Sequence, residues 1–537
     1  MEKYVLLGGK QGQGINKASE VLAKIFSDKG YFTFKYRDYS SLIEGGHSFN
    51  VLAFSDKKID SHSKKVDILV AHDKKTLTKH GERVAETGEI FKVYEEFDSI
   101  NLNISYNMVS VGLLSKYFGI KIEAVKKVLK EEFPERFFDQ NFRAVKKGYE
   151  STENVCSIKD MDRDIKIMSG SEGIARGAID SGLDVYLAYP MTPATPVLHL
   201  LAEKESGNSH VTYQLENELS VANAALGSAH TGAKTMVGTS GGGYDLMQEA
   251  TSMQGISEIP LTVYLSQRAG AGSGVPTYTE QGDLEVALKG GHGTFPRVVI
   301  APGDSKECLK AVNESMYFSE NFRLLSVLLG DKHVAESDFS FESDVELVDV
   351  GRNIDMDEKE GDYENYAITD DGNSPRSVPG INVVKSTSYE HDEKGITVED
   401  PKKIEKMVEK RKRKGLTVKE ASKKFERFKI HGEEDSDTLI VGWGSTKGAI
   451  KDVVEDMGLK FLQLIYLEPF PKEVSEIIEK SSKIILVENN SEGLLANVLR
   501  EKILFEVDEE NMILKYDGRP FRKDELKEEI EVLVYDD

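Results

Sequence analysis

Apolar residues along the chain fall into short runs, separated by Gly-rich turns and by stretches that repeat every three or four positions. "YVLLGG" (Tyr4–Gly9) reads as a strand and "KQGQGI" as the turn after it. Ile15, Ala18, Val21, Leu22, Ile25 and Phe26 then line one face of a helix. "VDILVAHD" (Val66–Asp73) repeats the strand-then-turn pattern. A second series opens near Asp164, with strands expected at "DVYLAYP", "AKTMVGTS", "PLTVYLSQ" and "PRVVIAP" and small-residue-rich helices between them. Such alternation favours parallel sheets covered by helices on both faces. From about Ser340 to Asp437 the periodicity fails and polar residues dominate, as in "GRNIDMDEKEGDYENY". A third series runs through "TLIVGWGSTKGAI", "FLQLIYLEPFP", "KIILVENN" and "ILKYDGRPF". The expected class is α/β, with three units at 1–160, 164–338 and 437–537. An irregular connecting arm ending in a basic helix fills 339–436.

The 537 residues exceed what one hydrophobic core organises. No apolar run approaches the roughly 20 residues that span a bilayer. The start, "MEKYVLLGGK", is strand-like rather than a signal peptide, so a cytoplasmic location is expected. Two cysteines, Cys156 and Cys308, lie far apart, which excludes a disulfide framework, a CxxC zinc site and a cysteine-held iron–sulfur cluster within this chain. The 11 histidines form no HExxH pair, and no metal site is expected. A net charge of −23 argues against nucleic acid as a partner. Only Lys402–Lys429 runs the other way, with thirteen Lys/Arg against four Glu. Two readings stand for it: a solvated helix face, or a docking patch for an acidic protein, with Lys410–Lys414 as the residues to neutralise in a test.

Chemistry-bearing residues gather at strand ends. In "YLAYPMTPAT" two prolines, Pro190 and Pro193, bracket Thr192 and fix the backbone that presents its hydroxyl. "QLENELSVANAALG" places Glu216 and Glu218 at a helix start, where acids favour the dipole. "GTSGGGYDLM" is again strand, Gly-rich turn, helix. "SQRAGAGSGVPTYTEQGDL" puts a lone Arg268 at a strand end, suited to a carboxylate or phosphate. The turn Gly8–Gly14 fits neither the dinucleotide nor the P-loop template; backbone N–H groups at a helix start still suit a phosphate.

As an ordered set these motifs resemble the alpha subunit of 2-oxoacid:ferredoxin oxidoreductases. The likeness continues through "SPRSVPG", "HDEKG", "MVEKRKRK", "VGWGSTKGAI", "VENN" and "KYDGRPF", as in the 2-oxoglutarate-type members. "GGKQGQGI" and "IEGGHSFNV" in the first unit are similar to the family's gamma subunit. The resemblance implies a gamma-type unit, a unit like the pyrimidine-binding domain of thiamine-diphosphate enzymes, and a transketolase C-terminal-like unit. It implies Thr192 as a hydrogen-bond partner of the oxoacid and Arg268 as the partner of the carboxylate that leaves as CO₂. Glu218 would meet the aminopyrimidine of thiamine diphosphate; Glu216 competes, and the offset to Gly227 favours Glu218. Tyr189, Pro190, Ser240, Gly241 and Gly242 are the further residues implied at the cofactor. Gly12, Gly14, Gly45 and Gly46, with Glu44 and His47 beside them, are candidates for coenzyme A or another phosphate.

The chain lacks a GDG…N pattern for the diphosphate and Mg²⁺, and it lacks cluster cysteines. In the family both belong to a beta subunit, which implies an (alpha–beta)₂ heterotetramer with the [4Fe–4S] cluster in the partner and ferredoxin as acceptor. "TSGGGY" departs from the usual TSGPGF, and "SEGLLA" stands where a glutamine is usual. The rival readings are an indolepyruvate-type or other thiamine-dependent subunit, and a nucleotide-binding scaffold without chemistry.

Overall fold

The computed structural model describes residues 1–40, 45–97 and 106–535; Glu44 lies outside them. The first unit supplies β1 (Glu2–Lys10), β2 (Phe32–Tyr39), β3 (His47–Ser55), β4 (Val66–Ala71) and β5 (Val84–Lys92). Its first helix, Ile15–Asp28, buries all six residues of the expected apolar face. The second unit supplies β6 (Lys166–Ser169), β7 (Val185–Ala188), β8 (Val211–Gln214), β9 (Thr235–Thr239), β10 (Leu261–Gln267), β11 (Arg297–Ile300), β12 (Leu325–Asp331) and β13 (Asp338–Phe341). The arm ends in β14 (Phe428–Gly432), and the third unit supplies β15 (Thr438–Trp443), β16 (Lys460–Leu464), β17 (Tyr466–Glu468), β18 (Lys483–Glu488) and β19 (Met512–Leu514).

These strands form three sheets, in the orders β5-β4-β1-β3-β2-β13-β6, β17-β11-β12-β10-β9-β7-β8 and β14-β16-β15-β18-β19. The second is parallel except for β17, and β9, β10 and β12 are buried along their whole length, as a sheet covered on both faces requires. The sheets are shared across the units. β6 and β13, from the two ends of the second unit, extend the first sheet, and β17 of the third unit pairs with β11. The four-residue β7 and β11 fall inside the expected runs, whereas β6 and β13, equally short, lie outside every run read as a strand.

Side-chain bonds reinforce the sharing. Buried Gln281 donates to the Trp443 carbonyl at 2.8 Å and accepts from the Asn489 N–H at 2.8 Å, while the Gln281 N–H donates to the Asn489 carbonyl at 2.7 Å. Asp452 accepts from the Asp60 N–H and from Ser61 Oγ at 2.6 Å, joining third unit to first.

The connecting arm holds few regular elements yet is packed. Arg376 pairs with Glu320 at 3.2 Å, both buried, and the His391 ring lies 4.0 Å from Tyr366. The basic segment forms the helix Pro401–Ser422, and both sequence readings fail for its centre. Lys410, Arg411 and Lys414 are buried. Lys410 and Lys414 both pair with the carboxylate of Glu258, the former at 2.7 Å, at the end of the helix Gln248–Ser257. Burial alone would raise the Glu258 carboxyl, but Lys410, Lys414 and Arg323 hold it well below the usual carboxylate range. Burial in turn pushes the Lys410 ammonium down to about 7. A charge run whose counter-charge lies 152 to 156 residues upstream looks like a surface until the fold joins the two.

Removing that counter-charge leaves two buried ammoniums unpaired. Glu258→Gln is expected to cost about 3–5 kcal/mol, read as a lowered unfolding temperature at pH 7; an unshifted transition would contradict the pairing. Because the folded pKa of Glu258 lies below the unfolded one, its contribution is present near neutrality and is lost on acidification.

Candidate active site

The chain runs from β7 to β8 on one side, then returns to place β9 on the other side of β7. The connections after β7 and β9 therefore diverge, and a crevice opens at the strand C-termini. The expected residues enter it from separate strands: Tyr189 to Pro193 after β7, Glu218 after β8, Ser240 to Gly243 after β9 and Arg268 after β10.

The Thr192–Pro193 bond is cis, and the turn is closed by the Ala194 and Thr195 N–H groups on the Met191 carbonyl at 2.8 and 3.1 Å. Arg268 Nη1 donates to the Thr192 carbonyl at 3.0 Å, so the two sequence candidates meet. The bond uses the threonine backbone, which leaves the hydroxyl for another partner. Arg268 Nε is buried without a hydrogen-bond partner among the described residues. Burial works against the guanidinium charge, and the carboxylates of Asp283 and Glu218 support it.

Glu218 is the first residue of the helix Glu218–His230, whose cap is Asn217 accepting from the Ser220 N–H at 2.9 Å. Glu218 is buried and Glu216 exposed, which separates two residues the sequence left in competition. A Cβ on Gly243 would lie 3.1 Å from Glu218 Oε1, so the glycine lets the carboxylate rest against the turn. Ser240 is fully buried, and its Oγ has no hydrogen-bond partner among the described residues. Gly242 approaches the Gly272 carbonyl, and a Cβ there would stand 3.3 Å from it. Tyr189 is exposed and Pro190 half-buried at the crevice edge.

Sequence reasoning missed Asp283. Its carboxylate lies against Gly241, where a Cβ would come within 2.5 Å of both oxygens. Its N–H donates to Gln267 Oε1 at 2.9 Å, beside Arg268. Burial, aided by Asp245 and Glu280 and opposed by Arg268, pushes its pKa up to about 6. The residue stood within the quoted "TEQGDL", but nothing in a loop's spacing reveals which carboxylate turns inward. Tyr189, Tyr213, Leu219, Leu246 and Val275 are all exposed: Tyr213 near the end of β8, and the others on the loops and helices that follow the strands of this sheet.

A second group forms at the end of β1 on the first sheet. The Gln11 N–H donates to the Gly46 carbonyl at 2.9 Å, bringing Gly12 and Gly14 beside Gly45 and Gly46. Gly12, Gly14 and Gly45 have φ of 87, 74 and 68°, and a Cβ on Gly12 or Gly45 would meet open space. The helix Ile15–Asp28 starts here without a side-chain cap, and Asn107 Nδ2 donates to the Gly14 carbonyl at 2.8 Å beside it. His47 Nε2 and His80 Nε2 lie 2.9 Å apart nearby. Among the described residues no group of three or more His, Cys, Asp or Glu side chains is placed to hold a metal ion, and no helix is long and apolar enough to cross a membrane.

Residues 176–410 match the family model for pyruvate flavodoxin/ferredoxin oxidoreductase, thiamine diphosphate-binding, and residues 4–99 and 89–151 match that for pyruvate ferredoxin/flavodoxin oxidoreductase. A 2-oxoacid:ferredoxin oxidoreductase subunit alpha from Sulfolobus sp is 29% identical over 99% of this chain and 97% of its own. The 2-oxoglutarate oxidoreductase subunit KorA of Mycobacterium tuberculosis is 30% identical over 78% of this chain and 67% of its own. A solved 2-oxoglutarate:ferredoxin oxidoreductase from Magnetococcus marinus, with 2-oxoglutarate, coenzyme A and succinyl-CoA bound, shares the fold at a TM-score of 0.87 and 24% identity, covering 99% of both chains. With its motifs in order and relatives matched along nearly its full length, the chain belongs to the family of 2-oxoacid:ferredoxin oxidoreductase alpha subunits.

Proposed function

We propose that the crevice is one half of a catalytic pocket for oxidative decarboxylation of a 2-oxoacid, 2-oxoglutarate or pyruvate, with coenzyme A as acyl acceptor and ferredoxin as electron acceptor. The observation that carries this reading is Arg268, held by the Thr192 carbonyl with a free buried N–H and within electrostatic reach of Asp283 and Glu218. In the net reaction the bond between carboxylate and carbonyl carbon breaks and CO₂ leaves. The thiol sulfur bonds the acyl carbon, two electrons pass singly to ferredoxin, and the thiol proton is released.

The residues fit thiamine diphosphate: a buried carboxylate, an unpartnered Ser240 hydroxyl and glycines that allow close approach. When bound, it supplies an electron sink for the carbon left by decarboxylation. Glu218 would accept a hydrogen bond from its aminopyrimidine and hold the ring's protonation state, with Ser240, Gly241 and Gly242 shaping that wall and Tyr189 and Pro190 the opposite one. Arg268 binds and orients the substrate carboxylate, and the Thr192 hydroxyl donates to the carbonyl or carboxylate oxygen. Burial around Arg268 strengthens that pairing by excluding water.

A beta subunit supplies the diphosphate and Mg²⁺ site and the [4Fe–4S] cluster in this reading, in an (alpha–beta)₂ heterotetramer of the cytoplasm. The exposed apolar side chains at this end of the sheet support a partner seated there. The cluster of Gly12, Gly14, Gly45 and Gly46 is proposed for the coenzyme A phosphates. The uncapped helix start and the open space beside Gly12 and Gly45 support that assignment.

In the assembled enzyme Glu218→Gln is expected to lower kcat roughly 10²–10⁴-fold. Arg268→Lys raises the KM for the oxoacid, because an ammonium cannot reproduce a bidentate fork. Turnover at the wild-type level in both variants would overturn the reading. A third expectation concerns pH. Ionised Asp283 repels an anionic substrate and competes for Arg268, so the oxoacid KM should fall as pH drops through about 6, and Asp283→Asn should flatten that dependence. Steady-state kinetics from pH 5 to 8 decides it; an unchanged profile in the variant would contradict it.

A further inference from the structure

The segment "KYDGRPF" (Lys515–Phe521) has no part in the chemistry above, yet it sits where all three units meet. Gly518 has φ of 75° and its carbonyl accepts from the Thr279 N–H at 3.1 Å. A Cβ on Gly518 would lie 3.2 Å from Tyr278 Cβ and 3.7 Å from Ala269 Cβ, so the backbone packs directly on the loop that carries Arg268. The next residue, Arg519, stacks its guanidinium 3.4 Å from the centre of the Tyr278 ring. Its Nε lies 3.0 Å from Asp38 Oδ2, a buried carboxylate in β2 of the first unit that also accepts from Tyr36 Oη at 3.0 Å. Its own carbonyl accepts from Asn489 Nδ2 at 3.2 Å.

That loop needs an anchor. Between Arg268 and Tyr278 stand Gly270, Gly272 and Gly274, all with positive φ (84, 62 and 51°), and residues 271–275 are exposed. Three such glycines leave the free chain many conformations to lose. The loop closes on itself through the Ala269 N–H on the Tyr278 carbonyl at 3.2 Å and the Val275 N–H on the Ala269 carbonyl at 2.7 Å. The position of Ala269, and of Arg268 before it, is therefore tied to Tyr278. A guanidinium stacked on an aromatic face and paired with a carboxylate fixes a ring in both position and tilt.

We propose that Arg519 is a positioning residue for Arg268: clamped between Asp38 and Tyr278, it holds the glycine-rich loop so that the substrate-binding arginine stays in the crevice. This rests on Arg268 as the partner of the oxoacid carboxylate. It makes substrate recognition in the second unit depend on a carboxylate of the first and an arginine of the third.

The test uses the assembled enzyme. Arg519→Ala is expected to raise the oxoacid KM roughly tenfold while kcat stays within about twofold, as loss of ground-state positioning would. Arg519→Lys, which keeps the charge for Asp38 but loses the stacked plane, should fall between. Asp38→Asn, nearly unchanged in volume, should raise KM in the same direction, and the double variant should be no worse than Arg519→Ala alone. Hydrogen exchange across residues 269–277 should quicken in each. Arg268→Ala is measured beside them. If it impairs binding while Arg519→Ala and Asp38→Asn keep the wild-type KM and exchange, the clamp is overturned and the function stands. If Arg519→Ala and Asp38→Asn lower kcat and the unfolding temperature together at constant KM, the stack is only structural and the clamp is overturned. If Arg268→Ala itself keeps the wild-type KM, the substrate reading falls and the clamp with it.

Discussion

The site depends on one topological constraint: β7 sends its chain to β8 on one side and has β9 on the other. Parallel strands with both neighbours in place end in loops that pack on each other. Where successive connections diverge, no loop covers the gap, and backbone and side chains from four strand ends face a common space. The cis turn after β7, the buried acid after β8, the glycine turn after β9 and the arginine after β10 all gain their meaning from that opening. None of the four is held by its sequence neighbours alone. Arg268 is held by the Thr192 carbonyl, and Glu218 rests against Gly243.

A crevice at a sheet edge is only as rigid as the loops around it, and here rigidity is borrowed from the other units. Gln281, just past the Arg268 loop, is tied to Trp443 and Asn489 of the third unit through three hydrogen bonds. β17 seals the far edge of the same sheet, while β6 and β13 root the second unit in the first. Glu258, Lys410 and Lys414 bury charge to pin the connecting arm. Buried ion pairs of this kind contribute little net stability against apolar replacements, but they are costly to break, which makes them good at specifying a single arrangement.

Much of this was legible in the sequence, and the limits have physical causes. Long runs such as "PLTVYLSQ" and the 3/4 spacing after Ile15 identify strands and helix because burial on a sheet or one helix face forces those periods. Thr192, Glu218 and Arg268 were found at strand ends, and the structure brings them to one crevice. The short strands β6 and β13 escaped because their few residues stand outside any apolar run, and the place of β17 beside β11 is a long-range pairing that the quoted "FLQLIYLEPFP" does not reveal. Lys402, Lys403, Lys406 and Lys412 are exposed as a solvated face would be, but Lys410 and Lys414 were misread because their counter-charge, Glu258, is distant in sequence. Asp283 and Arg519 stood inside quoted motifs without a role. Their significance lies in contacts, with Gly241 for one and with Tyr278 and Asp38 for the other, that only the assembled fold creates.

The central claim is that this chain contributes the acid and the arginine of a pocket completed by a second polypeptide. A structure of the assembled enzyme with thiamine diphosphate and an unreactive 2-oxoacid analogue tests it most directly. The account predicts the Glu218 carboxylate within hydrogen-bonding distance of the aminopyrimidine and the Arg268 guanidinium paired with the analogue's carboxylate. A cofactor bound elsewhere, or an analogue carboxylate held by other residues with Arg268 still on the Thr192 carbonyl alone, would contradict it.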